Sequence, residues 1–416
     1  MGGGEQRPSP LDLVFHRQPG LTVGAVLHLS GVPPSLGRLR AHVAAKLPAL
    51  PALSSVLTGE GLGSRWARRP PRVADHVRER QLSIGGSLEE ATRELSQAPF
   101  PVDGPRWDLT LARGWAQDRY ALVFRAHHGL QDAGGVAHTL ETLFSASPIP
   151  PERSSGVARA LVDPPTPSLR HTAAAVRFVA RTVARTDLWP HPADRCSQQR
   201  ALHWAAVPTN VLRAAARRHR GTVNDAYVAS VARTFTRWTA VHATHASRAT
   251  LPLTVAVNVR SPTHADAPGN RTLGGRILLP GPGLPASQYL TATVAATAAL
   301  KSAPHREALR RFVQGAPRWL MHPLMRSLLK PERAAILCSH VMFRHPLAWQ
   351  GDPVRAVDPL VLLPAWVPAL VLLYTYQGRS AVVFVTDAAL PEMNTLHDVW
   401  QREAQHLDDG GGPASD

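Results

Sequence analysis

The segment RAHHGLQDAGG, at positions 125–135, contains the residue types best suited to proton transfer. His127 and His128 end an apolar run, and Asp132 follows four residues after the second histidine. A neutral imidazole can accept a proton near pH 7. However, with 20 His in 416 residues, roughly one adjacent His pair is expected by chance. The segment is therefore either a catalytic base with supporting residues or a set of polar residues ending a buried strand.

The neighbouring patterns place this segment at a turn between a strand and a helix. Alternating residues predict a strand at 119–126, and a helix is predicted at 134–144. If the strand stayed extended to its end, His128 would share the face of Tyr120 and Phe124, and His127 would point the other way. Similar patterns predict strands at 22–32, 72–84 and 106–113, and helices at 35–45 and from Ser87 onward.

The second half of the chain has its own set of predicted elements. Helices are predicted at 169–187, 209–219, from 222 onward, at 286–301 and at 305–328, strands at 251–259 and 272–279, and a hairpin with its turn at 377–380. A chain of 416 residues is too long for one compact core. We predict an N-terminal lobe at 1–150, a linker and connecting helix at 151–190, a C-terminal lobe at 191–407 and a disordered tail at 408–416.

Composition excludes several classes of protein. Lysine occurs three times, so 43 of the 46 basic residues are Arg, which is typical of coding bias in a GC-rich bacterium. The arginines are scattered, so the net charge of +16 does not predict nucleic-acid binding, although it can attract an acidic partner or phosphates. Only two cysteines are present, without metal-ligand spacing, and we expect no metal site.

The same sequence gives no indication of export or membrane insertion. The first residues lack the apolar stretch of a signal peptide. The most apolar stretch, 359–376, contains three prolines and is interpreted as buried strands rather than a membrane span. We expect a soluble, cytoplasmic monomer without a transmembrane segment.

Six segments in order carry a more specific signal. They read SPLDLVF (9–15), PFPVDGPRWDLTLARGW (99–115), HHGLQDAGG (127–135), TVNDAYVASVA (222–232), VAVNVR (255–260) and GNRTLGGRILLP (269–280). Together they resemble the wax ester synthase/diacylglycerol acyltransferase-like family, within the condensation-domain and chloramphenicol acetyltransferase-like superfamily. The resemblance implies an α/β (α+β) fold of two similar lobes. Each lobe would be a mixed sheet flanked by helices, and the two would meet in a V-shaped pseudo-dimer with a central tunnel.

The resemblance also implies a reaction and a set of residues. An acyl group would pass from an acyl-CoA or a phosphopantetheinyl carrier-protein thioester to a small-molecule or lipid alcohol or amine, with no bound cofactor. His128 matches the catalytic histidine of an HHxxxD motif, and Asp132 matches the aspartate that holds its loop. The expected substrate-binding residues are His127, Gly134, Gly135, Asn224, Asp225, Arg260 and Asn270.

Structural roles remain open for several of these residues. His127 is interpreted as a buried, hydrogen-bonded residue. Asp132 is either a helix cap or part of an ion pair that fixes the loop. The stretch 222–225 is interpreted as a helix cap, although the family uses it to support the tunnel, and Arg260 is a candidate structural ion-pair partner.

The sequence departs from the family pattern at three places. Asp132 is followed by Ala133 instead of glycine, and the segment at 47–57, which carries an arginine partner for the aspartate in relatives, has none. Residues 339–346 read SHVMFRHP, and an apolar stretch follows at 360–373. These changes favour a specialised acyltransferase of secondary metabolism. The alternatives are a non-catalytic binding relative, or an enzyme of the same fold that catalyses cyclisation, epimerisation or elimination.

Overall fold

The computed structural model describes two lobes, each built on a mixed six-stranded sheet. It describes residues 7–147, 168–182, 199–243, 250–260, 267–315, 332–362 and 367–407, with shorter pieces between 184 and 197 and between 317 and 330. Half of the predicted linker and connecting helix at 151–190, and the predicted disordered tail at 408–416, lie outside these residues. The expected α/β fold of two lobes with mixed sheets is confirmed.

The first sheet has the order β11-β12-β1-β6-β5-β4. Strand β6 lies near its middle and is buried on both faces, as its run of apolar residues requires. The sheet contains β1 (Thr22–Ser30), β4 (Val77–Gln81), β5 (Trp107–Arg113), β6 (Arg119–His127), β11 (Ala348–Trp349) and β12 (Asp352–Val361), and a separate hairpin contains β2 (Ser55–Thr58) and β3 (Arg65–Arg68).

The second sheet has the order β7-β14-β13-β10-β8-β9. Its strands are β7 (Arg200–Pro208), β8 (Thr250–Asn258), β9 (Thr272–Pro280), β10 (Ile336–Met342), β13 (Ala369–Tyr376) and β14 (Arg379–Asp387). The predicted hairpin is therefore present. One apolar cluster packs against the first sheet and also includes side chains from one face of the second sheet, such as Leu372 and Val383. A second cluster packs against the other face of the second sheet.

Helices cover the outer faces and join the strands. They are α1 (Pro10–His16), α2 (Leu36–Lys46), α3 (Val73–His76), α4 (Leu88–Gln97), α5 (Ala133–Phe144), α6 (Leu169–Thr182), α7 (Thr209–Arg218), α8 (Val223–His242), α9 (Ala286–Lys301), α10 (Ala303–Gly315) and α11 (Leu396–Gln405). No helix in the described part of the chain combines the length and the apolar character that crossing a bilayer requires.

The structure differs from the predicted division of the chain in one respect. Strands β11 and β12 come from the predicted C-terminal lobe, yet β12 pairs with β1 in the first sheet. The chain therefore crosses between the lobes and back, and the sequence boundary at 191 is not a boundary between sheets. This crossover covers the edge of β1 that would otherwise expose unpaired backbone groups.

The strand predicted at 72–84 is shorter than expected. It begins with the single turn α3, and only Val77–Gln81 form a strand. The Arg40 guanidinium on α2 donates to the carbonyls of Ala74 and Val77, and His76 bonds the carbonyl of Trp107. These side-chain bonds satisfy backbone groups that a strand would have paired with a neighbour.

Candidate active site

The segment with the two histidines forms a short loop between β6 and α5. The strand ends at His127, so strand alternation does not place His128. Instead the His128 N–H donates to the Leu21 carbonyl. The loop also contacts the second lobe, because Gln131 forms a bridge with Gly269, whose N–H donates to the Leu130 carbonyl. The loop is thus held between the two lobes.

A chain of hydrogen bonds connects His128 to two other parts of the sequence. Asn270 Oδ1 lies 2.9 Å from His128 Nδ1, and Asn270 Nδ2 donates to the His128 carbonyl at 2.7 Å. The same amide nitrogen and the Asn270 backbone N–H donate to the buried Asp12 carboxylate. Gly269, at φ +89°, allows this close contact, because a Cβ there would lie 2.4 Å from an Asp12 oxygen.

These contacts fix the tautomer of His128. A backbone carbonyl only accepts hydrogen bonds, so the Asn270 amide must direct its nitrogen to the His128 carbonyl and its oxygen to Nδ1. His128 Nδ1 therefore carries the proton, and Nε2 of the neutral ring has a free lone pair. Burial lowers the pKa of His128 below its ordinary value, which keeps the ring neutral at pH 7. The Phe15 ring packs edge-on at 4.9 Å between centroids and adds an apolar wall.

Asp132 caps α5 and also forms an ion pair across the lobes. One oxygen accepts from the Gly135 N–H at 2.8 Å and from Arg260 Nη2 at 3.0 Å. The other accepts from the Arg271 N–H at 2.7 Å and the Thr272 hydroxyl at 3.2 Å. Both structural roles considered for Asp132 are present together, and Arg260 supplies the partner that the segment at 47–57 lacks.

The charge on Asp132 is stabilised by these partners. Burial alone would raise the pKa of Asp132, but the Arg260 guanidinium and the backbone N–H groups of Arg271 and Gly135 hold that pKa below its ordinary value. Ala133 occupies the first position of α5, where an ordinary helical residue fits, so the missing glycine does not distort the loop. Gly135 contributes its N–H to Asp132, and a Cβ there would make only an ordinary contact with Arg260 Nη2, at 3.4 Å.

His127 has quite different surroundings. Its Nε2 bonds the Gln18 carbonyl at 2.8 Å, and its Nδ1 accepts from the Gly129 N–H at 3.0 Å. Both ring nitrogens thus pair with backbone groups, as expected for a buried structural histidine. Burial is the main reason that the pKa of His127 is lowered to about 3. Its assignment to substrate binding rests on the sequence resemblance alone.

Comparison with known proteins identifies the family that the part of the chain around this site resembles. Residues 21–188 match the model of the wax ester synthase/diacylglycerol acyltransferase catalytic domain. The predicted resemblance to this acyltransferase family is confirmed. A Mycobacterium tuberculosis protein named as a diacylglycerol O-acyltransferase is 26% identical over 238 residues, which is 53% of this chain and 51% of the relative. The chain therefore spans about half the length of this curated relative.

Solved structures similar to this chain extend the match to both lobes. The wax ester synthase/diacylglycerol acyltransferase from Marinobacter aquaeolei aligns with a TM-score of 0.59 at 17% identity, covering 97% of this chain and 99% of that one. The first condensation domain of the calcium-dependent antibiotic synthetase aligns with a TM-score of 0.66 at 16% identity, covering 99% and 98%. At these identities the likeness establishes the shared two-lobed fold.

Gly134 lies in the first turn of α5, and two other expected site residues lie in the first turn of α8. Thr222 and Asp225 form a capping box, as predicted. Asp225 also accepts from Lys301 Nζ at 2.5 Å and from the Thr297 hydroxyl at 2.5 Å, both on α9. Asn224 is half-buried in the same turn. These contacts tie α8 to α9 within the second lobe and do not include the histidine loop.

Sequence reasoning did not assign a role to Asp12. It lies in the quoted segment SPLDLVF and forms a capping box with Ser9 at the start of α1. The Ser-x-x-Asp spacing is a signal for such a cap, but the second contact, with Asn270, joins residues 258 positions apart. Within the described ranges, no group of three His, Cys, Asp or Glu side chains is arranged to hold a metal ion.

Proposed function

We propose that this chain transfers an acyl group from a CoA or carrier-protein thioester to a hydroxyl or amine, with His128 as the general base. The observation that carries the proposal is the chain of hydrogen bonds from Asp12 through Asn270 to His128. It places the proton on Nδ1 and leaves Nε2 as a neutral acceptor, which is the state a general base needs near pH 7.

In the proposed step, His128 Nε2 takes the proton of the acceptor hydroxyl or amine as its oxygen or nitrogen bonds to the thioester carbonyl carbon. The resulting oxyanion collapses, the carbon–sulfur bond breaks, and the thiolate takes the proton from the imidazolium. The products are an ester or amide and a free thiol. No covalent enzyme intermediate is needed. Asn270 orients the ring throughout, and Asp132 holds the loop against the second lobe.

The comparisons support this reaction class. One structural relative is a starter condensation domain in complex with C8-CoA, with a TM-score of 0.64 at 15% identity, and the curated relatives are named as diacylglycerol O-acyltransferases. The first name states binding to C8-CoA, and the second states acyl transfer. Because the chain matches only about half of the curated relative, its acyl chain and acceptor are not carried over.

The departures from the family pattern now favour catalysis over binding alone. The binding alternative rested on the missing arginine and on Ala133. Arg260 provides a buried partner for Asp132, and Ala133 fits the first turn of α5. We infer a specialised bacterial acyltransferase of secondary metabolism, acting as a cytoplasmic monomer, whose lobes enclose the tunnel that the donor and acceptor enter. Asn224, Asp225 and Gly134 are proposed to shape that tunnel.

The test is mass spectrometry of the purified protein with short and long acyl thioesters and a panel of alcohols and amines. Loss of thioester matched by a new ester or amide supports the proposal. Thioester binding without turnover would favour the non-catalytic alternative, and a product formed within one substrate would favour cyclisation or elimination. Because surface arginines attract phosphates, the apparent KM for the thioester is expected to rise with ionic strength.

A further inference from the structure

A cavity of about 190 Å³ lies in the first lobe behind the histidine loop. Its wall includes His127 and Leu130 of the loop, Trp66 and Arg69 from the β3 region, and Arg106. Val102, also in the wall, is 95% exposed, so the cavity opens to solvent. Because the His127 ring is held by Gln18 and Gly129 while His128 contacts Asn270, this cavity adjoins the side of the loop away from the proposed base.

The charge of the cavity wall is positive and uncompensated. Two guanidinium groups, Arg69 and Arg106, line it, and none of its lining residues is acidic. Arg106 is half-buried and donates only to the His16 carbonyl, at 3.1 Å, and no carboxylate in the described part of the chain pairs with it. Burial lowers the pKa of Arg106, so the protein bears a desolvation cost for this cation.

The histidines of the wall add no charge, and Trp66 adds one buried donor. Burial is the main reason that the pKa of His16 is lowered to about 4 and that of His127 to about 3, so both rings are neutral at pH 7. Trp66 is 8% exposed, and its Nε1–H has no hydrogen-bond acceptor among the described residues. A buried donor without an acceptor is uncommon, which makes an acceptor-rich ligand the natural occupant of this region.

We propose that this cavity binds a phosphate group, held by the guanidinium groups of Arg106 and Arg69. Two cations without a carboxylate balance a group of about two negative charges, and guanidinium groups match phosphate oxygens in a two-point geometry. The phosphate comes either from free phosphate or from the CoA of the proposed donor. Only the second source rests on the proposed function.

The experiment is isothermal titration calorimetry with inorganic phosphate and with CoA, on the full chain and on three variants. Arg106→Gln and Arg69→Gln each remove one cation from the cavity. Arg217→Gln removes an exposed cation of α7 that does not line it and serves as the charge-matched control. We expect each cavity variant to weaken binding at least about tenfold, and the control to bind like the wild type.

The outcomes test phosphate binding by the cavity independently of the proposed acyl transfer. If phosphate and CoA both bind and both lose affinity in the cavity variants, the cavity accepts free phosphate. If only CoA binds and loses affinity in these variants, the cavity binds the phosphate of the proposed donor. Binding that is equal in all variants, or absent for both ligands, would overturn the proposal. If Arg106→Gln fails to fold, Arg69→Gln decides, since that side chain is exposed. His128→Ala should bind phosphate and CoA as the wild type does. The binding experiment therefore gives the same answer whether or not the protein catalyses acyl transfer.

Discussion

His127 and His128 are neighbours in the chain, yet their rings are held by different kinds of partner. His127 bonds two backbone groups, Gln18 and Gly129, that are close to it in the first lobe. His128 bonds the side chain of Asn270, which belongs to the second lobe and depends on Asp12 in the first helix. One ring is fixed as part of the lobe, and the other is positioned by residues from two distant segments.

This difference separates stability from reactivity. A ring with both nitrogens paired to the backbone has no free atom for a substrate, and removing it costs buried hydrogen bonds. A ring with one nitrogen oriented and the other free is prepared to accept a proton. Mutations on the two sides of the loop should therefore change different measurable quantities.

The largest effect is expected for His128→Ala. Turnover should fall by roughly 10² to 10⁴, the usual contribution of a positioned general base. The melting temperature should change little, because the ring is partly exposed and bonds the fold through one nitrogen. Steady-state turnover and thermal unfolding provide the two measurements. A folded variant with full activity would contradict the proposed role.

Asp132→Ala should destabilise the protein by about 3 to 5 kcal/mol, because it leaves the buried Arg260 without its partner. Urea unfolding measures this loss. The matched control is Asp225→Ala, which also removes a helix cap and an ion pair, but its partner Lys301 is 38% exposed and can turn to solvent. The control should lose about 1 to 2 kcal/mol. Equal losses of stability in Asp132→Ala and Asp225→Ala would contradict the argument that a buried partner makes the first loss larger.

Asn270→Ala should lower kcat by about 10 to 100-fold, because the ring of His128 loses the group that orients it. The hydrogen bond from Asn270 raises the pKa of His128 against the larger effect of burial. Without it the pKa falls further, so the acidic limb of the kcat/KM profile should move to lower pH. An unchanged profile in a variant with normal kcat would show that Asn270 does not act on the ring.

His127→Ala should cost about 1 to 3 kcal/mol of stability through lost buried hydrogen bonds, with any loss of activity following from unfolding. The pKa of His127 is about 3 in the folded protein, below its ordinary value of 6.5. Its contribution is therefore complete above pH 6.5 and declines as pH falls toward 3. The stability difference between wild type and variant should shrink over that window. A difference that grew on acidification would contradict the assignment.

Local patterns in the sequence predicted most elements near the site. The strand before the histidines, the capping box of α8 and the hairpin of β13 and β14 all follow from side-chain periodicity or cap spacing. The order of motifs identified His128 and Asp132 within a two-lobed fold. Each of these features depends on residues close together in the chain.

The features that the sequence did not predict depend on contacts between distant segments. Nothing near position 12 indicates that this carboxylate orients an amide at 270, and the pairing of β12 with β1 joins residues more than 300 positions apart. The sequence indicated Arg260 as an ion-pair partner but not its pairing with Asp132, which lies 128 positions before it. Such contacts are set by how the lobes pack, which a single sequence does not specify.

The central claim is that burial keeps the His128 ring neutral, and that Asn270 holds its proton on Nδ1 and leaves Nε2 free. Nitrogen-15 NMR of the imidazole rings tests it, with the His128 signal assigned by its loss in His128→Gln. At pH 7 we expect a protonated Nδ1 and an unprotonated Nε2, and in Asn270→Ala a mixture of tautomers. A charged ring at pH 7, or a proton held on Nε2, would contradict the account.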